Sequence, residues 1–159
     1  MKRLLFVFLC AALLFCGCAK RGEENLLAFF AQNGKHLCRF EKEGVAFLAK
    51  VEVKENGSAL LVSFQKPDTL AGVTVRKTAN ECTAVIGGKD FQGAANLLAP
   101  FGIFWAKEAT LLSAEVKGGV KTVSVRCEHT DYTLRYNECG ALVSVDGGGY
   151  TLFFEEGEV

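Results

Sequence analysis

The stretch VAFLAKVEV, residues 45–53, sets the fold class. Val45, Phe47, Ala49, Val51 and Val53 fall on one side of an extended chain, and Lys50 and Glu52 on the other. A side-chain period of two with one apolar face marks a half-buried β-strand. Just before it, Lys42-Glu43-Gly44 reads as a turn, so residues 36–41 should pair back as a strand. On the other side Glu55-Asn56-Gly57 is a hairpin signal, and Leu60, Val62 and Phe64 share one face of the strand that follows. Pro67 ends that strand, because it has no N–H to give to a ladder. Val73 and Val75 begin the next, Asn80-Glu81 turns, and Cys82, Ala84 and Ile86 continue.

The alternation then fails. FQGAANLLAPFGIFWAKEATLL, residues 91–112, is helix-like or irregular and is interrupted by Pro100 and Gly102. Strands resume over 112–117, 120–128, 131–137, 141–146 and 150–155, with turns at Gly118-Gly119, His129-Thr130, Cys139-Gly140 and Gly147 to Gly149. Short strands joined by tight turns predict an antiparallel meander. Before it, EENLLAFFAQN (residues 23–33) reads as a short helix stopped by Asn33-Gly34. A long sheet with one apolar face twists, and that face needs cover. The expected fold is therefore mainly β (α+β): a curved antiparallel sheet, or half-barrel, of about nine strands. The N-terminal helix and the central helical segment cover it.

The first residues are a separate object. Lys2 and Arg3 precede an apolar run from Leu4 to Cys16. In a helix that run spans about 20 Å, short of a hydrocarbon core of ~30 Å. A charged start, a short apolar stretch and small residues at its end describe a secretory signal. Cys16 and Cys18 are too close for an unstrained disulfide, and no further zinc ligands lie nearby. Gly17-Cys18 resembles the end of a bacterial lipobox, with Phe15 where Leu is usual. The resemblance implies a signal peptide at 1–17 and diacylglycerol on Cys18, with palmitate or another acyl chain beside it. Residues 18–22 are then a short tether and 23–159 the folded domain. Such a protein is anchored on the extracytoplasmic face of the cell membrane, and two acyl chains hold it stably. Lys20 and Arg21 would meet anionic headgroups.

The chain carries 18 Lys+Arg against 18 Asp+Glu, and a net charge of zero argues against nucleic acid, which wants a basic face. Cys38, Cys82, Cys127 and Cys139 remain in the mature body. Cys127 and Cys139 stand at opposite ends of one ladder, about 20 Å apart, and should not pair. A bond involving Cys38 or Cys82, and free buried thiols, both stay open. No CxxC or clustered His-Cys spacing suggests a metal. His36 and His129 are the only histidines; Cys127 and His129 stand two apart, nominally on one face of a strand, a spacing that reads as coincidence and not as the nucleophile, base and orienter a hydrolase needs. DGGGY, residues 146–150, lacks the Lys-Ser/Thr of a phosphate loop and reads as a hairpin turn. Neither an enzyme nor a cofactor is expected.

In SALLVSFQKPDTLAGVTVRK, residues 58–77, the pattern formed by Val62, Phe64, Pro67, Leu70, Gly72 and Val73 resembles small lipoproteins of the LolA/LolB-like superfamily. It is especially similar to GerS-like members from Gram-positive bacteria. The resemblance implies a half-barrel around a hydrophobic cavity. In the transport branch that cavity holds acyl chains of lipoproteins; in the GerS-like branch the surface contacts a partner in cell-wall processing. Phe47, Val62, Phe64, Val73 and Phe104 are the expected lining. LLAPFGIFWA, residues 97–106, brings Phe101, Phe104 and Trp105 beside a Pro and a Gly. It reads as an apolar lid or contact patch, or as ordinary core cover. Two functions follow: a membrane-anchored binder of a lipid, acyl chain or lipoprotein, or an interaction protein that positions a cell-envelope enzyme.

Overall fold

A computed structural model describes residues 27–155, and the alternating stretches become strands. The signal-like run, Cys18 and the tether lie outside the described residues. The described residues open with the four-residue helix α1 (Ala28–Ala31). Five strands follow: β1 (Gly34–Lys42), β2 (Val45–Lys54), β3 (Ala59–Lys66), β4 (Thr74–Lys77) and β5 (Cys82–Ile86). Then come β6 (Lys89–Gln92) and a 3-10 segment, Ala94–Trp105. Five more strands close the chain: β7 (Thr110–Lys117), β8 (Val120–Cys127), β9 (Thr130–Tyr136), β10 (Leu142–Gly147) and β11 (Tyr150–Glu155).

All eleven strands form one antiparallel sheet, in the order β6-β5-β4-β3-β2-β1-β11-β10-β9-β8-β7. Two meanders run outward from a central seam where the first strand pairs with the last, Phe40 opposite Leu152 and Cys38 opposite Phe154. Arg39 fastens the outer side of the seam, with its Nε 2.7 Å from Glu155 Oε1 and its guanidinium 4.8 Å from the Phe153 ring centre.

This corrects the expected curved half-barrel of about nine strands. The sheet is open and has eleven strands, and its edges, β6 and β7, lie at opposite ends of the order. The miscount has a physical cause. All four residues of β6, Lys-Asp-Phe-Gln, are exposed, so the strand has no buried face to make it alternate. The cover also differs from expectation. Among the described residues only Ala28–Ala31 is α-helical, and the central segment is 3-10.

One face of the sheet carries the core. Cys38, Ala49, Val51, Val62, Val75, Val125 and Leu134 are wholly buried on it. Each fully buried aliphatic or aromatic side chain contributes about 1.5–3 kcal/mol of transfer free energy. The 3-10 segment completes the core from above. Its apolar residues Leu98, Phe101 and Phe104 recur every third position and are all buried. That is the period of a 3-10 turn, so one face of the segment meets the sheet. Pro100 removes a backbone donor that a longer α-helix would need.

The residues behind the family resemblance have a structural role here. Pro67 to Gly72 form the β3–β4 connection, with Leu70 N–H donating to Pro67 O at 2.8 Å. Phe64 N–H donates to Val73 O at 2.9 Å, and Gly72 N–H returns to Phe64 O at 3.2 Å. Gly72 takes φ +84, a left-handed conformation that strains residues with a Cβ.

Candidate functional site

The aromatic segment positions the site. Phe101 meets the rings of Phe40 and Phe64, at 5.7 and 6.3 Å between centres, and so docks on β1 and β3. Phe104 meets Phe30, His36 and Phe154, at 5.2, 5.6 and 6.1 Å, and so docks on α1, β1 and β11. Trp105, the last residue of the segment, stays half-buried. The Nζ of Lys77 on β4 lies 4.4 Å from its ring centre, a cation–π contact.

Between this segment and the sheet runs a recess of about 280 Å³. Leu60 and Lys77 line one wall, Leu98, Phe101 and Trp105 the roof, and Cys127, Glu128, Thr130 and Tyr132 the other wall. The volume falls near the lower end of small-molecule sites, about 300–1,000 Å³. Tyr132 is the wall's fixed point. Its hydroxyl lies 2.7 Å from where a Cβ on Gly102 would stand, and its ring covers the bare backbone of Gly147 on β10. Burial raises the phenol above its ordinary range. The Cys127 thiol is also pushed up, first by burial and then by the Glu128 carboxylate. That direction disfavours a nucleophilic thiolate. His129, two residues on, is exposed in the turn.

Of the sequence-predicted lining residues, Phe101 and Trp105 border this recess. Phe104 and Trp105 border a second, of about 390 Å³, with Asn56, Ser58, Ala79 and Lys107. Val62, Phe64 and Val73 are packed in the core. Phe47 is half-buried and stacks on Phe40, 4.7 Å between centres and 5° between planes. Leu60, Lys77, Leu98 and Tyr132 were not expected in the site. Leu98 had a signal, the three-residue spacing to Phe101 and Phe104. Leu60 and Lys77 face each other on the consecutive strands β3 and β4, whereas Tyr132 comes from β9, far along the chain, and no local pattern brings it to them.

The cysteines Cys38, Cys82, Cys127 and Cys139 are all free, with Cys38 and Cys127 buried and Cys139 exposed. A third recess, of about 380 Å³, lies by Phe29, His36 and Phe154. There the Nε2 of His36 is buried with no hydrogen-bond partner among the described residues. Burial lowers this imidazole's pKa below 6.5.

No family model and no curated protein matches the chain. Among solved structures it is similar to an uncharacterized conserved protein from Thermus thermophilus, at 12% identity and a TM-score of 0.45, over 79% of this chain and 78% of that one. It is also similar to a LolA superfamily protein from Nitrosomonas europaea, at 9% identity and a TM-score of 0.45, over 84% of this chain and 92% of that one.

Proposed function

We propose that the protein is an extracytoplasmic lipoprotein, held on the membrane through Cys18, that binds the apolar chain of a lipid or lipoprotein. The observation that carries this reading is the recess between the 3-10 segment and the sheet, walled by Leu60, Leu98, Phe101, Trp105 and Tyr132. Such a concave, mostly apolar space with a few polar groups suits a single chain better than a polar solute. Phe101 and Trp105 roof the recess, Phe104 seats the same segment on α1 and the sheet, Val62, Phe64 and Val73 belong to the core, and Phe47 packs against it. The test is native mass spectrometry of protein purified from membranes in mild detergent. A bound lipid released on unfolding supports the reading; a bare protein mass under the same conditions contradicts it. For the anchor, Cys18→Ser should move the protein from the membrane fraction to the soluble one. An unchanged distribution would remove the anchor from the account.

A second reading, a partner-positioning protein of the cell envelope, is favoured by β7. This edge strand is exposed at all eight positions, including Leu111, Leu112 and Val116. Unpaired strand edges are templates for another chain. If β7 serves a partner, Val116→Lys should abolish capture of that partner and leave lipid binding intact. Equal capture by both forms would remove this reading.

A further inference from the structure

The recess has a polarity that a plain hydrocarbon would not use. Lys77 is the one cation among its lining residues, and its backbone is fixed between Leu60 on β3 and Cys82 on β5. Its ammonium rests over the Trp105 ring at 4.4 Å. Among the described residues the ion pairs are made by Arg39, Lys54, Arg126 and Arg135, and Lys77 makes none. A cation stacked on an aromatic ring at an apolar recess, with no carboxylate on it among the described residues, is placed to meet a charge brought by the ligand. Glu128 also borders the recess, and its carboxylate repels an anion, so of the two charged lining residues Lys77 is the one an anionic group meets favourably.

We infer that the recess takes a single-chain amphiphile with one anionic head, the head on Lys77 and the tail along Leu98 and Phe101. This rests on the apolar-ligand reading above and adds the charge and direction of the ligand. Two heads share that chemistry, a fatty carboxylate and a phosphate monoester.

Trp105 is the only tryptophan in the chain and lines the recess, so its fluorescence reports occupancy directly. The experiment titrates the full-length protein with decanoate and decyl phosphate below their micelle concentrations and with 1-decanol below its solubility limit. The wild type should bind at least one of the two anions about tenfold more tightly than the alcohol, as a charge-assisted contact predicts. The anion that gains more identifies the head. Lys77→Met should remove the gain and leave decanol binding unchanged, Lys77→Arg should keep it, and Lys107→Met should have no effect. Circular dichroism checks that each variant is folded. Equal binding of acid, phosphate and alcohol in the wild type would overturn the inference while sparing the apolar-ligand reading. So would a preference that survives Lys77→Met. Absence of binding by all three chains would overturn both.

Discussion

The hydroxyl of Tyr132 occupies the space a side chain on Gly102 would need, 2.7 Å from the ideal Cβ position. The contact joins β9 to the 3-10 segment, and the Tyr132 ring is held from behind by the uncovered backbone of Gly147. The tyrosine cannot swing away without losing that second contact. Gly102→Ala is therefore expected to destabilise the fold by about 1–3 kcal/mol through overpacking. Tyr132→Phe removes the clashing oxygen, so the same glycine change should cost much less in that background. Urea unfolding of the two single variants and the double variant measures the coupling.

Phe104 ties α1 to the sheet through three aromatic contacts and is 3% exposed. Phe104→Ala should cost about 3–5 kcal/mol, the range for a large buried ring replaced by a cavity. Chemical denaturation reads this directly. A loss under ~1 kcal/mol would mean the segment is not seated as described.

His36 makes the fold acid-sensitive. Burial lowers its folded pKa below the ordinary 6.5, so between the two values the unfolded chain binds more protons than the folded one. Its contribution is complete above about 6.5 and is lost as pH falls through the folded value. His36→Phe places another ring among Phe29, Phe104 and Phe154, and removes both the titration and the unpartnered Nε2. The variant should lose part of the wild type's decline in stability below pH 6.5, followed by thermal unfolding across pH. An identical decline in both proteins would assign the acid sensitivity elsewhere.

The free thiols should differ in reactivity. Cys139 is exposed in the β9–β10 turn, whereas burial pushes the Cys38 thiol far up. Under native conditions a maleimide should label Cys139 within the time that leaves Cys38 unmodified, and Cys38 should react only on unfolding. Peptide mass spectrometry locates the label. Prompt labelling of Cys38 would contradict its burial between β2 and β11.

Much of the sheet was legible because burial imposes a period of two. Residues 45–53, 60–64 and 120–127 alternate in sequence and become β2, β3 and β8. β6 was illegible because an exposed edge strand has no inner face to impose a pattern. The seam was illegible for another reason. The pairing of Phe40 with Leu152 joins residues at opposite ends of the domain, and no local signal encodes it. That pairing makes the sheet open and sets its width, so the half-barrel inferred from strand counting failed. The site divides in the same way. Phe101 and Trp105 stand out as large rings around Pro100 and Gly102, whereas Lys77 and Tyr132 become site residues only when β4 and β9 face one recess.

The proposed function requires that an apolar chain enter beside Trp105. A ten-carbon amphiphile brominated beside its head, the part that lies nearest Trp105 when the head meets Lys77, reads this at the site itself, because bromine quenches indole fluorescence at contact. Saturable quenching of Trp105, reversed by the unbrominated chain, is the expected result. Quenching that only grows linearly with concentration and resists competition, or none at all, would contradict it.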